Sequence, residues 1–217
     1  MVLFLNIEGV FPNAIPECLI LNLSKRSIPS KYMKFMERML LNRTTKLKFD
    51  SYESEDHSIN NGISQDNPLS MILYQFYNTD LMEIPKSRDK SSMAYVNDAL
   101  LIAIAETFEE VHQMLADMMT RRGGVIDWLE THNSPLEYSK LALVDFAHPT
   151  NMKERTLLTL PSRKIKPTPS TKYLGVMLDQ HLNWKAQHAY TIEKGTKWAA
   201  QIHRITRPTW GITPRYA

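Results

Sequence analysis

One cysteine, no long apolar run and few acids towards the C-terminus set the first limits on this chain. Cys18 is the single cysteine in 217 residues, so an internal disulfide is excluded, and no Cys/His cluster suggests structural zinc. The longest purely apolar stretch, Ala99 to Ala105, falls far short of the ~20 residues that span a bilayer. Residues 1–10 carry Glu8 and lack a basic start, which argues against a secretory signal peptide. These absences predict an intracellular protein, nuclear or cytoplasmic and not secreted, with no membrane partner and no disulfide partner. What is present is ordinary for a folded chain: 43% apolar and 23% charged residues, in a length that suits one large domain or one and a half.

The scarcity of acids is local. Residues 1–150 hold 14 Lys and Arg against 20 Asp and Glu, a balance of −6, whereas residues 151–217 hold 12 against 3, a balance of +9. Trp184, Tyr190, Trp198 and Trp210 are interleaved with the basic residues of this last third. Such a segment can track phosphates and stack on bases, with Lys197, Arg204 and Arg207 as candidate nucleic-acid contacts. It can equally be a solvated helix face.

Residues 3–7 form a short apolar run closed by Gly9, the pattern of a buried strand. Helices are expected over 14–25 and from Pro29, where Tyr32, Phe35, Met36, Met39 and Leu40 repeat at helical spacing and predict one core-facing stripe. Thr45, Leu47 and Phe49 alternate with polar residues, as in a half-exposed strand. A buried helix is expected over 69–81. Two apolar runs at 93–96 and 99–103 flank Asn97-Asp98, a pair that suits a tight hairpin turn. Thr107 with Glu110 is a capping box. Beyond it come a short helix around Trp128, strands at 141–146, 156–160 and 173–178, a loop over 161–169, and a long helix from Trp184 to about Ile205. Strands and helices mix without strict alternation, which predicts an α+β fold with an antiparallel sheet.

Polar residues at the tips of buried antiparallel strands can meet across the sheet, and carboxylates placed so bind hard cations such as Mg²⁺. Asn6 ends the first strand and Asn97-Asp98 joins two others, so only one of the three is an acid. Asn and Asp are also turn formers, and turn building is the plainer account of their spacing alone.

The order of the segments adds to this. Leu5-Asn6-Ile7-Glu8-Gly9-Val10-Phe11 resembles the first catalytic motif of reverse transcriptases, in which Asp and an aromatic residue are separated by four positions. Residues 62–70, Gly-Ile-Ser-Gln-Asp-Asn-Pro-Leu-Ser, resemble the second motif, and Tyr95-Val96-Asn97-Asp98 the aromatic-x-Asp-Asp box. Residues 133–140 and then 173–184 resemble the fourth and fifth. Five motifs in order across residues 3–188 are similar to the reverse transcriptase of LINE-type, non-LTR retrotransposons, with fungal-like wording. The resemblance implies a right-hand polymerase palm, an antiparallel sheet backed by helices, over 1–180. It also implies the start of a basic helical thumb over 181–217, with the fingers region missing. It implies RNA-templated DNA synthesis, with an RNA template, an RNA/DNA hybrid and deoxynucleoside triphosphates as partners and two Mg²⁺ ions as cofactor. Metal ligands fall at Asn6, Asn97, Asp98 and the Ile7 carbonyl. Phe11 becomes the steric gate under the sugar, Gln65 and Asp66 neighbours of the incoming nucleotide, and Lys140 the group assisting the leaving pyrophosphate.

The departures fall on the chemistry. Positions 6 and 97 are Asn where the pattern has Asp, and Asp66 replaces a small Gly. A unit charge ~4 Å from a divalent ion contributes a gross ~8 kcal/mol at an effective dielectric of about 20. Losing two of three acids predicts that Mg²⁺ is held weakly or not at all. The expected function is therefore an inactive piece of a polymerase. The alternative is a non-catalytic nucleic-acid-binding or scaffold protein.

Overall fold

The computed structural model describes residues 1–65, 67–146, 158–160, 163–207 and 210–211. In chain order the elements begin with β1 (Val2–Asn6), α1 (Val10–Asn13), α2 (Pro16–Lys25), α3 (Ser30–Leu40), β2 (Arg43–Thr45), β3 (Lys48–Phe49), β4 (Tyr52–Glu53) and β5 (His57–Ile59). Next come α4 (Pro68–Tyr77), α5 (Thr79–Met82), β6 (Lys90–Tyr95), β7 (Asp98–Ala103), α6 (Phe108–Thr120), α7 (Val125–Thr131) and a 3-10 turn at Tyr138–Lys140. The remainder is β8 (Ala142–Val144), β9 (Leu158–Leu160), β10 (Arg163–Ile165), β11 (Ser170–Tyr173), β12 (Val176–Asp179), α8 (Lys185–Ile205), β13 (Thr206–Arg207) and β14 (Trp210–Gly211).

The described residues divide into two compact units, one drawn from 1–143 and 154–167, the other from 144–153 and 168–217. The sequence-based division at 180 cuts after β12, whereas this one places β11 and β12 in the same unit as α8.

A four-stranded sheet in the order β6-β7-β1-β8 organises the first unit. β1 pairs antiparallel with β7, and β7 with β6. Alternation along the strands sorts their side chains by face. Leu3, Leu5, Ile7, Ala99, Leu101 and Ala103 enter the hydrophobic core with Leu19 of α2, Leu73, Tyr74 and Tyr77 of α4, Leu115 and Met118 of α6 and Trp128 of α7. Val2, Phe4, Asn6, Asp98, Leu100, Ile102, Met93 and Tyr95 share the other face by register. α6 starts on the expected capping box: the Glu110 N–H donates to Thr107 Oγ1 while Glu110 Oε2 accepts from the Thr107 N–H.

Several elements differ from their sequence-based form. Tyr32 and Phe35 are 54% and 55% exposed, and only Leu40 of the expected α3 stripe is buried. The line that packs on the core is Met33, Met36, Met39 and Leu40, narrower than the apolar count implies. The strand expected at 45–49 is broken into β2 and β3, which pair with β5 and β4, and Leu47 and Phe49 face solvent. Part of the loop expected over 161–169 is β10, paired antiparallel with β9. The strand expected at 173–178 is a hairpin. Leu174 and Gly175 stand at φ 47° and 86° between β11 and β12, and two consecutive left-handed residues make a tight hairpin loop, with glycine suited to one of them.

Candidate active site

The site forms where β1 ends and β7 begins. Asn6 and Asp98 are register partners, so their side chains lie side by side on the sheet face away from the core. Asn6 Nδ2 donates to Asp98 Oδ1 at 2.9 Å. Both residues are half-buried. Register pairs Tyr95 with Asp98, which leaves Val96-Asn97 as the two-residue loop rather than the expected Asn97-Asp98. Asn97 is thus in the loop and Asp98 is the first strand residue.

The loop is held from outside. The Ile7 N–H donates to Asn97 O at 2.8 Å. Val96 stands at φ 53°, a left-handed conformation that is a strained choice for a β-branched residue. Its carbonyl accepts from Asn78 Nδ2 at 3.0 Å. Asn78, between α4 and α5, is 3% exposed. It is a positioning residue that sequence reasoning missed, because a buried Asn inside an apolar helical run carries no motif.

The fourth motif closes the other flank of β1. Glu8 N–H donates to Pro135 O, and Glu137 N–H to Asn6 O at 2.9 Å, around an antiparallel bridge between Ile7 and Leu136. The Ile7 carbonyl takes no part in that bridge. Glu137, a second missed residue, therefore opposes Asn6 on its far side, and its Oε2 lies 2.7 Å from Lys140 Nζ. The Glu137 hydrogen bond, with smaller attraction from Asp98 and Glu8, holds the Lys140 ammonium above its ordinary lysine value. The 3-10 turn at Tyr138–Lys140 thus places Lys140 beside Glu137 and within the field of Asp98. The only sequence signal of Glu137 is its i, i+3 pairing with Lys140.

Phe11 lies in α1, half-buried, with its ring edge-on to Tyr74 of α4 at 5.8 Å. The second motif meets the first through backbone. Gly62 N–H donates to Ala14 O and Ile63 N–H to Phe11 O. Gly62 stands at φ 91°, where a Cβ would come within 2.8 Å of Pro12 O. This glycine is required by close approach. Gln65 is exposed in the turn before α4, and Asn67 caps that helix, its Oδ1 accepting from the Leu69 N–H at 2.9 Å. Asp66 lies outside the described residues. Lys197 and Arg204 lie exposed on α8 of the second unit, and Arg207 lies in β13, its side chain outside the described set.

A stack of aromatic rings supports the site from the core side. His132 lies against Trp128 at 4.5 Å, with Tyr77 edge-on to both. Tyr77 Oη donates to His132 O and accepts from the Ile15 N–H, and burial pushes its pKa up to about 12.

The donor set does not fit a pair of divalent cations. Beside the Ile7 carbonyl it offers one carboxylate and two amides, and one of those amides turns its N–H side to Asp98 Oδ1. Among the described residues no three His, Cys, Asp or Glu side chains converge as metal ligands. Among them, too, no helix is long and apolar enough to cross a membrane.

No protein-family model and no curated protein matches the chain. Among solved structures it is similar to an apo telomerase from Candida tropicalis truncated from its C-terminal domain, with a TM-score of 0.56 and 9% identity over 83% of this chain. The fold is reverse-transcriptase-like. A telomerase from Candida albicans in complex with a TWJ fragment of telomeric RNA also matches, with a TM-score of 0.43 and 12% identity over 82% of this chain. This chain spans 34% and 30% of the lengths of those two proteins.

Proposed function

We propose that the chain is the palm portion of a LINE-type, non-LTR retrotransposon reverse transcriptase, with the start of a thumb over 181–217, and that it no longer catalyses nucleotidyl transfer. The ordered motifs and the reverse-transcriptase-like fold support the ancestry. The Asn6–Asp98 hydrogen bond carries the loss of activity. At the strand tips where the resemblance puts a carboxylate pair, this chain holds a neutral amide satisfied by its neighbour. That contact supplies locally the hydrogen bond a cation site would leave open, and nothing in it favours divalent metal. Residues around it still perform structural tasks: Glu137 orients Lys140, Gly62 admits the second motif, and Phe11 packs on Tyr74.

Primer extension on an RNA template tests this reading. The purified chain should show no product with Mg²⁺ or Mn²⁺ beyond that of an Asp98→Ala control. Template-dependent extension above the control overturns it.

Basic α8 favours a second activity within the same ancestry, the binding of RNA or RNA/DNA hybrid without catalysis. Its test is a titration across salt, where affinity should fall steeply as salt rises and show little sequence preference.

A further inference from the structure

Helix α8 is exposed along almost its whole length, and its side chains sort into a line. Tyr190, Lys194, Lys197, Gln201 and Arg204 recur at alternating spacings of four and three, so they follow one face for about 21 Å at 1.5 Å per residue. The start of the line is tied to the neighbouring hairpin. Lys172 of β11 donates from Nζ to Tyr190 Oη at 2.9 Å, and its ammonium stands 4.9 Å from the centre of the Tyr190 ring. With its lone pair engaged by Lys172, the Tyr190 hydroxyl keeps its own proton to donate outwards. Lys197 is held by Glu193 at 2.6 Å. Lys194 and Arg204 have no acidic partner among the described residues. Trp198, 59% exposed, lies four residues after Lys194 and three before Gln201, beside the line. Ile202 stands one turn further along, also exposed.

We propose that this face of α8 binds single-stranded nucleic acid, the Lys172–Tyr190–Lys194–Arg204 line taking backbone phosphates along the strand and Trp198 stacking on an unpaired base. The proposal rests on the nucleic-acid-binding activity above and narrows its ligand. A row of cations serves any polyanion, but an exposed indole beside that row is satisfied by a base face, and a paired strand keeps its base faces inside the duplex. Lys197 contributes less than its neighbours, because Glu193 already neutralises it.

The test uses the full chain and three labelled probes of equal length: oligouridine, an RNA/DNA hybrid and duplex RNA. Anisotropy titrations across salt should rank oligouridine at least tenfold tighter than the hybrid and the duplex. Trp198→Ala should weaken oligouridine binding about fivefold to 100-fold and leave the hybrid within twofold, while Trp198→Phe keeps most of the affinity. Lys172→Ala and Lys194→Ala should each reduce the slope of log K against log salt by about 0.7. Equal or tighter binding of the hybrid, or an unchanged affinity in Trp198→Ala, overturns the proposal while leaving nucleic-acid binding itself in place. Failure of all three probes at low salt overturns both.

Discussion

The tip of β1 and the outer face of α8 have been left different things. At β1 the backbone is engaged on both flanks: Asn6 and Ile7 are tied to β7 on one side and to residues 135–137 on the other. The charge that resemblance expects there is gone. On α8 the helix is anchored to the β11–β12 hairpin near its start and its following turns are exposed, and there the cations are present. The contrast shows how differently the two kinds of function depend on the fold. Asn and Asp are isosteric, and here the Asn6 amide makes a hydrogen bond to Asp98, so the sheet accommodates a neutral group at this strand tip without a change of shape. A phosphate-binding line needs only spacing along a helix, which no packing enforces and no burial penalises.

The largest expected effect breaks the contrast at β1. In Asn6→Asp/Asn97→Asp, two carboxylates oppose each other across β1 and β7, and like charges in that position repel. Mn²⁺ affinity, read by paramagnetic relaxation, should rise by more than an order of magnitude. The melting temperature without metal should fall, and it should recover on adding Mn²⁺. A double variant with unchanged metal affinity would show that geometry, and not only charge, has been lost at the strand tips.

Next in size is the clamp on the loop. Asn78→Ala removes the donor to Val96 O and should cost about 1–3 kcal/mol in urea unfolding. Val96→Gly relieves the left-handed strain, and in that background the cost of Asn78→Ala should be smaller, a coupling read from a double-mutant cycle. Additive effects would mean that Asn78 supports the helix junction and not the loop.

A third measurement concerns the ring stack behind the site. Burial holds the His132 pKa below its ordinary 6.5, with a hydrogen bond to Trp128 O and the charge of Asp80 opposing the shift. Because the folded value is the lower one, the unfolded chain takes up the proton first as pH drops. His132 therefore leaves stability intact above about pH 6.5 and subtracts from it as pH falls through that value towards the folded pKa. His132→Phe should flatten this segment of the stability–pH curve. His132 belongs to the first unit and takes no part in the α8 line, so oligouridine affinity should be unchanged in that variant.

The smallest effect is expected at Lys197. Breaking its exposed, solvent-screened pair with Glu193 by Lys197→Ala should leave the unfolding midpoint in urea unchanged, and should lower nucleic-acid affinity by less than Lys194→Ala does.

How far these features were legible in the sequence depends on whether their cause is local. The capping box of α6, the sheet strands β1, β6 and β7 and the long helix α8 follow from patterns that lie within a few residues of one another. The meeting of Asn6 with Asp98 was legible through the order of motifs. The features that were missed have distant causes. Asn78 acts on a carbonyl 18 residues away, Glu137 is placed by a bridge to β1, and the outward turn of Tyr32 and Phe35 depends on how little of α3 the core can cover. The Leu174-Gly175 turn was local and legible, but a continuous apolar-looking run over 173–178 masked it.

The strained loop at Val96 also bears on the order in which the chain assembles. A hairpin whose loop residues favour left-handed backbone can close from its own sequence, turn first and strands after, on a microsecond scale. Val96 denies β6 and β7 that route. Their loop is held by Asn78 at the end of α4, so the turn is expected to set after β1 has aligned the strands. Val96→Gly would reverse that order, and its benefit would appear chiefly as faster folding, with the unfolding rate little changed.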